Sequence, residues 1–270
     1  MPAGNPSISI IIPTKNSGET LGKCLEALAR QTFKPLEVIV VDSFSTDSTV
    51  EIAENWGAKV LRKAGTQASA RNLGVEKAKG EYVLFLDSDQ LAGEGLLAEC
   101  ANLCLKGFEA VKIPETFHGR GFWASCSALW RNTAASVEEA IPRLYKRETL
   151  LKAGLFQENL KLWEDLELYW RVKALGVKEG WSKIGVSHLE ASSLLSLLRK
   201  AFSYGQSIPA FNRKAKSKPQ KGKLKATLST LRRLLSQPNP PTQTLGCLLL
   251  AALKAAATLL GIITGWRGNR

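Results

Sequence analysis

Histidine is scarce in this chain. His118 and His188 are the two present, and there is a single methionine. A metal centre built mainly from imidazoles has little to draw on. The five cysteines (Cys24, Cys100, Cys104, Cys126 and Cys247) form no Cys-x-x-Cys pair, which argues against zinc ribbons and thioredoxin-type redox motifs. Cys100 and Cys104 stand one helical turn apart, a packing spacing. The set reads as free thiols of a reducing, cytosolic setting. The first apolar run, Ile8 to Ile12, is short and meets Pro13, so no signal peptide is expected. There is no internal repeat.

Acid is also missing, but only from one region. After Glu190 there is no Asp or Glu, while 14 Lys and Arg follow. The first 190 residues hold 23 Lys and Arg against 24 acids. The net charge of +13 therefore belongs to the tail. This argues against a uniformly basic nucleic-acid-binding domain, and an anionic surface met by the tail is expected.

What is present is a strand–helix alternation. Ser7 to Ile12 reads as strand one, stopped by Pro13, and Leu36 to Val41 as a second buried strand; Tyr82 to Leu86 is continuously apolar, as a strand covered on both faces requires. Helices are expected over 19–31, 50–56, 68–79, 92–106, 133–140 and 163–175. Short strands are expected over 59–62, 110–113 and 182–188. Short connections between them imply a parallel, doubly wound sheet. The segment 117–130 is rich in Gly and aromatics and shows no clean period.

Two strands end in aspartate, Asp42 and Asp87. Open α/β sheets bind ligands at that edge. Asp87-Ser88-Asp89 places two carboxylates across one spacer, a set that Mg²⁺ or Mn²⁺ accepts and can bridge to phosphates. In isolation the same triplet could be an acidic turn.

The order of features decides between these readings. It runs Ile-Ile-Ile-Pro-Thr-Lys-Asn (10–16), Val-Ile-Val-Val-Asp (38–42), Ser-Thr-Asp (45–47), Ala-Arg-Asn (70–72), Leu-Phe-Leu-Asp-Ser-Asp (84–89) and Trp-Glu-Asp (163–165). Over roughly residues 7–190 this resembles the family 2 glycosyltransferases of GT-A fold. The resemblance implies a metal held by Asp87 and Asp89, against the diphosphate of a UDP- or GDP-sugar. It implies a nucleoside pocket at Pro13, Thr14, Asn16 and Asp42, with Arg71 beside the diphosphate. Asp165 would be the base of an inverting transfer, with Glu164 in support, and His188 would complete the metal site. The chain departs from a common family pattern at Ser43, where many members carry a second aspartate. Asp47 reads as a helix cap and Asn72 as structural. Trp163, beside the expected base, could stack on a sugar. The Gln-x-x-Arg-Trp motif of processive synthases is absent.

The tail has its own pattern. Leu194 to Phe202 and Leu224 to Leu235 read as amphipathic basic helices, with a basic linker over 213–225. Leu245 to Thr264 is a 20-residue, mostly apolar stretch interrupted by Lys254. That is near the length needed to cross hydrocarbon, though a central lysine costs on the order of 3 kcal/mol. A span, a re-entrant hairpin and an interfacial helix are all compatible with it, as is a helical extension packed on the front domain. Nine Lys and Arg precede it within 213–233 and two follow, which would keep the catalytic domain on the cytoplasmic side.

The organisation expected is thus a catalytic domain over 1–190, basic amphipathic helices and linker over 191–240, and a hydrophobic membrane-associating or transmembrane segment over 241–270. The expected partners are a nucleotide-sugar donor, a lipid-linked or glycan acceptor and an anionic membrane, with no specific nucleic acid. The rivals are a sugar-phosphate nucleotidyltransferase and a non-catalytic polyanion-binding or membrane-binding adaptor. The first would need a Gly-rich basic loop after strand one, which Pro13 to Gly18 does not supply. The second leaves the carboxylates unexplained.

Overall fold

The computed structural model describes residues 5–136, 140–160, 163–190, 193–214 and 220–267. Along the chain run β1 (Ile8–Thr14), α1 (Gly18–Ala29), β2 (Glu37–Asp42), α2 (Thr49–Trp56), β3 (Lys59–Arg62), α3 (Gln67–Lys77), β4 (Tyr82–Phe85) and β5 (Gln90–Ala92). Then come α4 (Leu96–Leu105), β6 (Ala110–Lys112), β7 (Glu115–His118), α5 (Phe122–Ala135), β8 (Pro142–Lys146), α6 (Arg147–Ala153), α7 (Glu164–Ala174), β9 (Glu179–Trp181) and β10 (Val186–Leu189). Three helices close the chain: α8 (Leu194–Lys214), α9 (Gln220–Ser236) and α10 (Pro241–Arg267).

Contacts divide the chain into two compact units. Unit 1 is Met1–Pro114, Ala140–Asn159 and Trp163–Ser187; unit 2 is Glu115–Glu139, Leu160–Leu162 and His188–Arg270. Unit 1 is built on a seven-stranded sheet of order β3-β2-β1-β4-β8-β6-β9. The pairs β1–β2, β1–β4, β2–β3 and β6–β9 are parallel, and β8 runs antiparallel to β4 and β6. The mainly parallel sheet flanked by helices, expected from the sequence, is therefore present.

Alternation along β1 explains why most of its run is apolar. Ile8, Ile10 and Ile12 pack with Leu21, Leu25, Leu96 and Cys100 of α1 and α4. Ile11 faces the other way, with Ala70 and Val75 of α3 and Leu168 of α7. Each face of the sheet has its own core, so both sets of side chains are mostly apolar, and the buried Ser9 hydroxyl is satisfied by donating to Glu37 Oε1 at 2.8 Å. Gly74 allows α3 to sit close on β1, since a Cβ there would stand 2.5 Å from Ile11 Cγ2.

Some expected elements are redrawn. The 92–106 helix begins only at Leu96 (α4), behind Gly95 at φ 78°. The expected 182–188 strand begins only at Val186 (β10), because the Ser182 hydroxyl closes a turn with both Ile184 N–H and Ile184 O, and β9 ends just before that turn. The aperiodic 117–130 segment contains most of α5, whose period is masked because it packs against β7, α9 and α10. Residues 137–139 of the expected 133–140 helix lie outside the described residues. The basic linker is helical at both ends: α8 reaches Lys214 and α9 starts at Gln220. Residues 215–219 lie outside the described set.

Unit 2 has a core of its own in Cys126, Leu197, Leu234, Cys247 and Leu250. It joins α5 to the tail helices, so the tail packs around residues that precede it by about a hundred positions, as the spacing of α5 and α10 shows.

Candidate functional site

The C-terminal edge of the sheet in unit 1 collects most of the residues singled out from the sequence. β1 delivers Pro13 and Thr14, β2 delivers Asp42, and Asp87 follows β4 by two residues. Thr14 is in register with Asp42, and their side chains meet: Thr14 Oγ1 donates to Asp42 Oδ1 at 3.0 Å. Ser45 N–H donates to Asp42 Oδ2 at 2.8 Å, and the Ser45 hydroxyl to Oδ1. Asp42 is fully buried. Its carboxylate accepts from Thr14 and Ser45, and so anchors the loop that follows β2.

The loops after β1 and β2 are stitched together. Asn16 N–H donates to Ser45 Oγ at 2.7 Å, and Asn16 Oδ1 accepts from Thr46 N–H at 2.9 Å. Asp47 receives Gly18 N–H and Thr49 N–H. The Thr49 hydroxyl and the Gly18 amide hold its carboxyl below the usual aspartate range; it receives the first amide of α2 from one residue before the N-cap, Ser48. Asn16 (φ 50°) and Phe44 (φ 57°) both sit in left-handed backbone. For Phe44, exposed in that loop, this conformation carries strain of the kind found at binding sites.

A second network joins the edge to α7. Arg71 is 6% exposed. Its Nη2 donates to Asp87 Oδ1 at 3.0 Å and its Nη1 to Glu164 Oε1 at 3.1 Å. The guanidinium carbon lies 5.9 Å from the Phe85 ring centroid and 5.5 Å from that of Phe156. Among the described residues, Arg71 Nε makes no hydrogen bond. The sequence pointed Arg71 at a diphosphate; the structure pairs it with two carboxylates, Asp87 and Glu164. Burial raises the Glu164 carboxyl above the usual glutamate range, against the pull of Arg71. Asp165 follows on the first turn of α7, half-buried, with Oδ1 accepting Leu166 N–H at 2.8 Å. Trp163 precedes the pair at φ 58°, a strained entry that sets where the two acids point.

Two partners of Asp87 were not foreseen. Gln67 Nε2 donates to Oδ1 at 2.7 Å, and Arg143 Nη1 lies 3.8 Å from Oδ2. Arg143 comes from β8, whose antiparallel pairing with β4 (Leu84 opposite Leu144) carries it towards that edge. Asn72, expected to be structural, pins the 154–158 loop: it exchanges hydrogen bonds with both Phe156 N–H and Phe156 O at 2.9 Å.

A divalent cation fits the chemistry of Asp87 and Asp89. Both are half-buried carboxylates at the sheet edge, and a Mg²⁺-type site commonly takes one or two carboxylates and leaves the rest of its shell to phosphates and water. Among the described residues no group of three or more His, Cys, Asp or Glu side chains is gathered around a common point. His188 belongs to unit 2, buried, with Nδ1 3.4 Å from Glu115 Oε2 and its ring against Phe117.

Comparison with known proteins agrees with this architecture. The chain is 33% identical over 178 residues to the poly(ribitol-phosphate) beta-N-acetylglucosaminyltransferase TarS of Staphylococcus aureus (strain MW2), covering 58% of this chain and 30% of that protein. It is 31% identical over 164 residues to the poly(ribitol-phosphate) beta-glucosyltransferase of Bacillus spizizenii, covering 56% and 26%. The alignments thus take in only about a third or less of these relatives. Among solved structures, S. aureus TarS 1-349 in complex with UDP-GlcNAc superposes with a TM-score of 0.57 at 19% identity, over 98% of this chain and 92% of that one. The mannosyltransferase PcManGT from Pyrobaculum calidifontis, in complex with GDP-Man and Mn²⁺, gives 0.55 at 20% identity over 99% and 88%. At these identities the likeness is one of fold, the GT-A fold anticipated from the motifs. The matched family description, "Glycosyl transferase family 2", runs over residues 9–155, more than half the chain and nearly the whole of the edge just described, and it is to this family that the chain belongs.

Proposed function

We propose that the protein transfers a sugar from a nucleoside diphosphate sugar, UDP- or GDP-linked, to an acceptor hydroxyl or phosphate with inversion at the anomeric carbon. The observation that carries this reading is the Arg71 bridge. It ties a carboxylate of the Asp87-Ser88-Asp89 turn to the helix that bears Asp165, so the diphosphate-side acids and the acceptor-side acid belong to one network. Mn²⁺ or Mg²⁺ held by Asp87 and Asp89 would supply charge neutralisation for the departing nucleoside diphosphate. The Thr14 and Asn16 loops and the exposed Phe44 ring would border the nucleoside. Asp165 takes the proton from the attacking hydroxyl; where the acceptor is already an ionised phosphate, it orients that group instead. Glu164, held by Arg71, fixes the start of α7 so that Asp165 meets the acceptor. Support for donor type comes from the structural neighbours solved with UDP-GlcNAc and with GDP-Man and Mn²⁺.

The acceptor reading is a lipid-linked or glycan chain at the cytoplasmic face of the cell membrane. Its support is the acid-free tail and α10, which is long and apolar enough to cross a membrane by length and composition. The test is titration calorimetry of UDP and GDP with Mn²⁺ present. Binding of one of them, lost in Asp87→Ala and Asp89→Ala and kept in Asp165→Asn while transfer disappears, is the expected pattern. A wild-type protein that binds neither nucleotide with Mn²⁺ overturns the proposal.

A further inference from the structure

Within unit 2, α10 has two unlike faces. The inner face is closely packed. Cys247 and Leu250 are buried in the core with Cys126 of α5 and Leu197 of α8. A Cβ on Gly246 would stand 2.5 Å from the Phe122 ring. Further along, one on Gly261 would stand 2.2 Å from the Phe202 carbonyl, and one on Gly265 2.6 Å from the Gln206 carbonyl. The α8 residue Gly205 approaches Thr258 O in the same way. These backbone-level contacts hold α10 against α8 in one rotation about its axis.

Lys254 lies on this packed side. Its Nζ donates to Ser127 Oγ at 3.2 Å. The Ser127 hydroxyl donates to Glu190 Oε2 at 2.9 Å, and Arg131 Nη1 donates to Glu190 Oε1 at 2.6 Å. The charge that interrupts the apolar stretch is thus absorbed by α5 and by the last acid of the chain.

The outer face is bare. Leu245, Leu249, Leu259, Leu260 and Ile263 are each 52–66% exposed. With the exposed Ala252 and Ala256, positions 245, 249, 252, 256, 259 and 263 step by four and three, a single apolar stripe along the helix. Arg199 and Lys200 on α8 and Arg232 and Arg233 on α9 are also exposed.

We infer that α10 lies flat in the surface of an anionic membrane, with the stripe at 245–263 in the acyl boundary and Lys254 turned back into the protein, instead of crossing the bilayer. This rests on the membrane reading above and fixes its geometry. A crossing helix would either carry the Glu190–Arg131 pair into hydrocarbon with it or leave α5 and expose Lys254 at mid-bilayer, and both are costly. A flat helix keeps every inner contact and buries only what is already exposed. Charge selects the occupant: a second copy would bring another acid-free tail, whereas anionic headgroups complement the arginines and lysines.

The test uses the full chain with vesicles of phosphatidylglycerol plus phosphatidylcholine, and of phosphatidylcholine alone. We expect salt-sensitive binding to the anionic vesicles and release by alkaline carbonate. The double variant Leu249→Glu, Leu259→Glu should bind at least tenfold more weakly with an unchanged melting curve, because both side chains are exposed. Spin labels at Leu249→Cys and Leu259→Cys should report equal depths; in a crossing helix, positions ten residues apart differ by about 15 Å. Carbonate-resistant binding with unequal depths overturns the flat placement and leaves the membrane reading standing. Lipid-independent dimers broken by the double variant would assign the stripe to a second copy and overturn it as well. No binding to either vesicle removes the membrane reading itself, whereas nucleotide titration tests the transfer reading separately.

Discussion

Replacing Arg71 by methionine isolates the bridge that organises the site. Methionine keeps an apolar stem between Phe85 and Phe156 and removes the fork. Glu164 then keeps a charge on a side chain 11% exposed without its cation, while Asp87, 23% exposed, retains Gln67 and Arg143. Removing one member of a buried ion pair costs about 3–5 kcal/mol. The partners left to Asp87 put the expected loss near the lower end, at about 3 kcal/mol. At about 2–4 °C per kcal/mol for a domain of this size, melting should fall by about 6–12 °C. The loss must depend on pH. Burial already raises the Glu164 carboxyl in the fold, and without Arg71 it rises further. A carboxyl raised by folding costs nothing below its unfolded value and its full penalty above its folded one. The gap between wild type and Arg71→Met should therefore be small below about pH 4 and widen as pH rises. Adding Glu164→Gln to Arg71→Met removes the stranded charge and should recover about 1–3 kcal/mol. Thermal melts by circular dichroism across pH measure all of this. A variant within about 1 kcal/mol of wild type at neutral pH, or a double variant no more stable than Arg71→Met, would refute the bridge as an energetic unit.

Other perturbations test neighbouring parts. Asn72→Ala strands both Phe156 backbone groups and should cost about 2–4 kcal/mol, read by urea unfolding; a loss under about 1 kcal/mol would mean that water replaces the amide. Gly80→Ala forces a Cβ to 2.6 Å from Ser9 N and 2.9 Å from Tyr82 O, rigid backbone on both sides, so it should cost about 1–3 kcal/mol. Gly57→Ala, with nothing within 4 Å of its Cβ but a φ of 87°, should lose only the left-handed penalty, about 1 kcal/mol. Asp165→Asn should leave the melting curve nearly unchanged while abolishing transfer, because its Oδ1 accepts only from the amide of the next residue among the described residues; retained turnover would reassign the base.

Parts of this were legible in the sequence for definite physical reasons. β1, β2 and β4 are covered on both faces, so their apolar runs stood out, and the aspartates at their ends marked the edge. The Asp42–Ser45 spacing of three is a local side-chain pattern, readable in principle as a loop anchor. The Arg71–Glu164 pair spans 93 positions, and no local period encodes such a contact. α5 was hidden for the opposite reason: contact on several sides left it no single polar face to set a rhythm. Lys254 looked like a defect in a membrane span because Ser127, which accepts its hydrogen bond, and Glu190, to which Ser127 donates, lie far back in the chain.

The way unit 2 is assembled sets a timetable for the growing polypeptide. Cys126 and its neighbours on α5 leave the ribosome about a hundred residues before Cys247 and Leu250 exist to cover them. At usual synthesis rates of about 5–20 residues per second, that apolar surface waits roughly 5–25 s. For that interval the nascent chain is a natural client for a chaperone. A stop codon placed soon after Glu190, a convenient cut for making a smaller enzyme, would make that exposure permanent.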